Sequence, residues 1–280
     1  MPVEQERVRL VFARLDRELN KLGVKPEARD IHDFRTYTRR LETLLIHLRE
    51  NQGNNEKKLL KSLSRLRRRA GKVRDPVVQL AVLRSLKTSQ EPRRKTDLAS
   101  VLAENRRRQE KRWHKALDRK TLRGLRRRLK KAQSRLLVQE GSDPLALALG
   151  LFRGACGKQE PITEQILHAY RGATKRARYL AEFAPKSARR QQVISRLRRL
   201  QDAVGDWHDW LVLTMSAERR FGGVRESSLV AALRNLTQAK FRHAVQVLAA
   251  GRAEILGEVE PREPSRAVSA LATEPRARAA

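Results

Sequence analysis

One basic pattern occurs twice in this chain, and that repetition restricts the fold more than any other feature. The run His32-Asp-Phe-Arg35-Thr-Tyr-Thr-Arg39-Arg40 returns as His168-Ala-Tyr-Arg171-Gly-Ala-Thr-Lys175-Arg176, 136 residues later (from His32 to His168). The aromatic, the threonine and every basic position are matched in kind. A second element repeats at an offset of 134: Leu66 to Asp75 corresponds to Leu200 to Asp209, placing Gly71 on Gly205 and Asp75 on Asp209. Two elements in the same order at nearly the same offset indicate an internal duplication. The fold must therefore hold two copies of one supersecondary unit.

Each copy reads as helix. Ile31, Phe34, Thr38, Leu41, Leu45 and Leu48 recur at spacings of three and four, so they share one face. At roughly 100° per residue, His32, Arg35 and Arg39 form a second stripe beside it, along roughly 10 Å of helix. That stripe holds no acid before Glu42, an arrangement suited to an extended anion. The third helix starts near Glu56 and buries Leu59, Leu63, Leu66, Ala70 and Val73. Its opposite side carries Lys58, Lys61, Arg65, Arg68, Arg69 and Lys72 without compensating acids, which points to a ligand-facing role. Asp75 reads either as the N-cap of a new helix with Pro76 at its first position or as a residue with a role in binding.

From Asn105 to Arg135 there are fifteen Lys or Arg and two acids. Leucines at helical spacing keep this stretch helical, with an expected break near Lys120–Thr121 between the last helix of one bundle and the first of the next. Pro161 opens the second histidine helix, and Ser187 to about Phe221 is the counterpart of the third. Ser227 to Leu256 is a final amphipathic helix. No segment alternates as a strand does. The expected units are 1–118 and 119–256, with 257–280 a disordered tail rich in Pro, Arg, Ala and Glu. The copies differ: Lys58, Lys61, Arg68, Arg69 and Lys72 map onto Gln192, Ser195, Asp202, Ala203 and Asp206, and only Arg65 keeps its charge, as Arg199. Arg189, Arg190, Arg196 and Arg198 compensate in part, so the first half is expected to contribute more.

Charge then bears on the partner. Lys plus Arg total 63 against 31 acids, a formal charge of +32, for which a polyanion is the default partner. Aromatics are 4% of the chain, too few for rows of base-stacking platforms. The single cysteine, Cys156, has no internal disulfide partner and fits a reducing compartment. The N-terminus lacks the apolar run of a signal peptide, and no stretch reaches membrane-spanning length.

The pattern His-x-x-Arg-x-x-x-Arg-Arg, followed some forty residues later by Leu-x-x-x-x-Gly-x-x-(Arg/His)-Asp, resembles the CHAD family, the helical domains named for their histidines. The likeness spans roughly residues 1–256. It implies an all-α fold of two four-helix bundles related by a pseudo-twofold, with a basic cleft between them. It also implies binding of inorganic polyphosphate and, for some members, association with polyphosphate granules; the cytoplasmic location expected here rests on the lone cysteine and the N-terminus. Many members carry an additional CYTH domain; this chain is expected to be the stand-alone form.

The residues expected to bind polyphosphate are His32, Arg35, Arg39, Arg40, Lys58, Arg65, Arg68, Arg69, Lys72 and Arg74 in the first copy. In the second they are His168, Arg171, Lys175, Arg176, Arg196, Arg199 and His208. Bound polyanion should raise the pKa values of His32 and His168. No catalytic residue, metal or cofactor is expected. Non-specific nucleic-acid binding is the first alternative, since electrostatics alone does not tell polyanions apart. A metal-dependent phosphohydrolase is the second, on the dipeptides His32-Asp33 and His208-Asp209. Against it, Asp33 has Ala169 as its counterpart, and Asp75 follows Arg74 where Asp209 follows a histidine. There is also no Walker loop and no Gly-x-Ser-x-Gly elbow.

Overall fold

The computed structural model describes residues 3–23, 26–50, 53–88, 91–155 and 161–256. The expected tail, residues 257–280, and Cys156 lie outside the described residues. Those described form nine helices and no strands: α1 (Gln5–Leu22), α2 (Ala28–His47), α3 (Asn54–Ser85), α4 (Pro92–Ala116), α5 (Arg119–Ser134), α6 (Pro144–Ala155), α7 (Glu164–Ala181), α8 (Ala188–Phe221) and α9 (Ser228–Leu256). None of these helices is long and apolar enough to cross a membrane.

The histidine helix is α2, and the apolar stripe read from its spacing is buried as expected. Phe34, Leu41, Leu44 and Leu45 have no exposed surface, each stabilising by roughly 1.5–3 kcal/mol. A capping box starts the helix: the Glu27 side chain accepts from the N3 backbone, and the Glu27 N–H donates to Asp30 Oδ2 at 2.9 Å. Its copy, α7, begins where Thr163 Oγ1 accepts from Ile166 N at 3.3 Å.

The neighbour relations repeat. α1 packs on α2, α2 on α3 and α3 on α4; α6 on α7, α7 on α8 and α8 on α9. Between the halves α2 packs on α7 and α3 on α8. Each of these helices meets its own copy, as a twofold relation requires. One apolar core runs from Val3 to Ile255 through both halves. A smaller cluster joins Leu80 and Leu83 of α3 to Leu98, Trp210, Leu213 and Leu229.

Two details correct the sequence reading. Pro76 does not open a new helix: α3 runs through it, and Asp75 is mid-helix rather than an N-cap. Proline removes one helical hydrogen bond, but Pro76 is itself buried, and Leu80 and Leu83 beyond it are fixed against α4 and α8. The second correction concerns α5. The chain breaks at Leu117–Asp118, where the Asp118 carboxylate accepts from Thr121 N at 2.6 Å and Thr121 Oγ1 at 2.8 Å. The helix that follows packs on α1 and α3, not on the helices after it. Arg126 pairs with Asp16 at 2.8 Å, and Asn55 Nδ2 donates to the Arg128 carbonyl at 3.0 Å. By these contacts α5 is joined to the helices before it.

Candidate functional site: a cationic cleft between the bundles

Because α2 lies against α7, the two basic stripes face a common cleft. α2 supplies His32, Arg35 and Arg39; α7 supplies His168, Arg171 and Lys175. Both histidines are exposed, whereas the four cations are half-buried. The α3–α8 contact adds Arg67, Arg74 and Asp75 from one side and His208 and Asp209 from the other. The His168 and His208 rings stand 5.2 Å apart.

Glycine has a specific use here. Arg35 lies across α3 and donates from Nη1 to the Arg67 carbonyl at 3.0 Å. A Cβ on Gly71 would stand 2.4 Å from that Nη1. The seat exists only because residue 71 has no side chain. The copy does not reproduce it: a Cβ on Gly205 meets nothing within 4 Å. Arg171, the counterpart of Arg35, instead leaves its Nε buried with no acceptor.

The electrostatics follow from this crowding. Desolvation, then Arg39, pushes Arg35 down to about 10. Desolvation, then Arg171, Arg39 and Arg74, pushes Lys175 down to about 7. His208 falls to about 3 through desolvation and the charges of Arg171, His168 and Lys175, and its Nδ1 is buried without a partner. His32 is lowered by desolvation and by Arg74. The two carboxylates behave oppositely: desolvation by the cleft walls raises Asp75 and Asp209 against the pull of nearby arginines, although Asp75 stays open to solvent at the edge. Without a ligand, cations are held close together with too little counter-charge.

Toward one end the cleft widens into a cavity of about 310 Å³, lined in part by Arg39, Arg67, His168, Arg171, Lys175 and Arg176. Arg67 was not singled out from the sequence. It lies four residues before Gly71 and seven before Arg74, on their face of α3, but which face of α3 meets the cleft is a matter of packing. Its charge is shared with Glu42, at 3.1 Å.

Several expected residues are elsewhere. Arg40 is withdrawn: its guanidinium bonds Glu182 at 2.7 and 3.3 Å and stacks on Tyr37 and Tyr179 at 5.0 and 5.5 Å. It fastens α2 to α7. Arg196 and Arg199 are held by Glu254 at 3.2 and 3.0 Å. Lys58, Arg65, Arg69 and Lys72 lie roughly 120–200° around α3 from the row Arg67–Gly71–Arg74, and Arg68 about 100°. All five are exposed, and α3 turns them away from the cleft. Among the described residues no group of three or more His, Cys, Asp or Glu is placed to share a metal ion.

Fold and site together define a helical module with a cationic cleft between two related bundles. The CHAD domain model matches residues 8–218, and the chain belongs to that family. Among solved structures it is similar to the CHAD domain from the plant Ricinus communis, with 17% identity, a TM-score of 0.65 and 89% of each chain covered. It is also similar to PptA from Streptomyces chartreusis, with 14% identity, a TM-score of 0.62, and 88% of this chain and 98% of that one covered. At these identities the likeness is one of fold. No curated protein sequence matches the chain.

Proposed function

We propose that this protein binds inorganic polyphosphate in the cleft between its bundles and does not turn it over. The observation that carries this reading is the convergence of Arg35, Arg39, Arg74, Arg171 and Lys175 from three helices, outnumbering the nearby acids Asp75, Asp209 and Glu42, the last already paired with Arg67. A linear phosphate chain presents charge at every unit, and guanidinium forks match its oxygens. Burial first, and mutual repulsion after it, lowers Lys175 and Arg35; a bound polyanion would offset the repulsion, so binding draws on a preorganised field. Counterion release from the chain adds to the driving force.

The competing polyanion is duplex DNA, and competition at physiological salt separates the two. Long-chain polyphosphate should displace DNA at far lower phosphate concentration than the reverse. Equal competition would reduce the cleft to a general polyanion surface. Release of phosphate from polyphosphate with magnesium, manganese or zinc, lost in His208→Ala, would replace the binding reading with a catalytic one.

A further inference from the structure

The stripe on the far side of α3 has a different setting. Arg69 and Lys72 of α3 meet Arg112 and Lys115 of α4 around a groove of about 380 Å³. Among the described residues none of these four side chains forms an ion pair or hydrogen bond. The three acids of α4 are committed elsewhere, Glu110 to Arg106 at 2.7 Å, Glu104 to Arg108 at 3.4 Å and Asp97 to Arg220 at 2.9 Å. Trp113 forms part of the wall. It is 1% exposed, and its Nε1–H is buried with no acceptor, a condition that native interiors rarely leave unmet.

The duplication provides an internal control. The matching groove, between α8 and α9, is lined by Arg196, Arg199, Asp206, Lys240 and Glu254. There the charges cancel: Glu254 holds both arginines and Lys240 meets Asp206 at 2.8 Å. Lys72 occupies the position of Asp206, and Arg69 that of Ala203. Unbalanced charge is thus a property of the first copy, not of the architecture.

We propose that the α3–α4 groove is a second polyphosphate-binding site, separate from the cleft; the ligand class rests on the function proposed above. Phosphate oxygens suit two guanidiniums and two ammoniums. Bases would need an exposed ring to stack on, and the ring of Trp113 is buried. The groove and the cleft lie on different sides of one helix, about 10–12 Å across. Short chains fill them independently, whereas a long chain that engages both gains by effective concentration.

Calorimetric titration with tripolyphosphate tests this on the full chain. Wild type should show two classes of site. Arg69→Glu with Arg112→Glu should weaken one class by roughly tenfold or more and spare the other; Arg39→Glu with Arg171→Glu should do the converse. The Trp113 indole N–H resonance should move on titration of the wild type and the cleft variant, and stay still in the groove variant. Both groove residues are exposed, so folding should survive; should it not, Arg69→Gln with Arg112→Gln replaces that variant. A groove variant that titrates like wild type, with the Trp113 resonance static throughout, overturns the second site and leaves the cleft intact. Uniform weakening by both variants overturns it in favour of a diffuse field. No binding to wild type defeats both readings.

Discussion

The two halves agree inside the cleft and differ outside it. α2 and α7 carry the same His–Arg–basic stripe, yet α3 and α8 share little of their outer charge. In α8 the outward arginines are tied to α9 through Glu254, whereas in α3 Arg69 and Lys72 face α4 with no acid between them. Even within the cleft the match is one of residue type more than of geometry. Arg35 rests on Gly71 and bonds the α3 backbone; Arg171 has no such seat. A duplicated unit can thus keep its shared surface, where each stripe completes the other, while the outer faces evolve separately.

The largest effect should come from reversing cleft charge. Arg35→Glu with Arg39→Glu, and separately Arg171→Glu with Lys175→Glu, should each weaken polyphosphate binding by about a hundredfold, at about 1.5 kcal/mol per charged hydrogen bond. Arg276→Glu with Arg278→Glu, outside the described residues, makes the same change in arginine charge as the first pair and should do little. Similar losses from both cleft pairs would establish a shared site across the pseudo-twofold. A loss from the first pair alone would make the cleft a one-sided device, and an equal loss from the tail pair would leave only long-range attraction.

A smaller effect separates the stripes by titration. Lys175 starts near 7 in the free protein, and a bound polyanion raises it. The linked affinity is fully present below the free value and fades as pH climbs through the bound one. Binding measured from pH 6 to 8 should weaken by up to about tenfold, with His32 contributing in the same direction at the acid end. Lys175→Arg keeps its charge throughout and should flatten most of the profile. A variant as pH-sensitive as wild type would move the titration to another group.

The smallest effect sharpens the difference between the glycines. Gly71→Ala must push the Arg35 guanidinium off its seat, which a flexible side chain can do cheaply. Stability should change little, and affinity should fall a few-fold. Gly205→Ala meets open space and replaces a helical glycine, so it should stabilise by roughly 0.5–1 kcal/mol and leave binding alone. Thermal melts paired with polyphosphate titrations check both; identical behaviour of the two variants would deny Gly71 its role.

Much of this was legible in the chain. Helical class, duplication and the cleft stripes of α2 and α7 all follow from local periodicity and from two motifs at matched offsets. A helix sets which residues share a face within a few turns, so sequence spacing alone places His32, Arg35 and Arg39 together. Which face meets a partner is another matter. Arg40 lies beside that stripe in sequence, but Glu182, more than a hundred residues away, draws it out. Arg196 and Arg199 read as free until α9 brings Glu254 against them. Lys58, Arg65, Arg68, Arg69 and Lys72 read as one ligand-facing stripe, but α3 turns Arg67, Gly71 and Arg74 to the cleft instead.

The same division holds for the fold. Pro76 is a local signal to stop a helix, and the buried leucines beyond it outweigh that signal because they pack on α4 and α8. The break before α5 was visible within a few residues, but the packing of α5 on α1 and α3 was not, since its leucines fit any apolar face. Sequence by itself determined the helices, their repetition and the excess of positive charge, all of which are written in neighbours a few residues apart. Tertiary structure alone decided which of those charges gather in the cleft and which are neutralised, because ion pairing and desolvation depend on groups that only folding brings within a few ångströms.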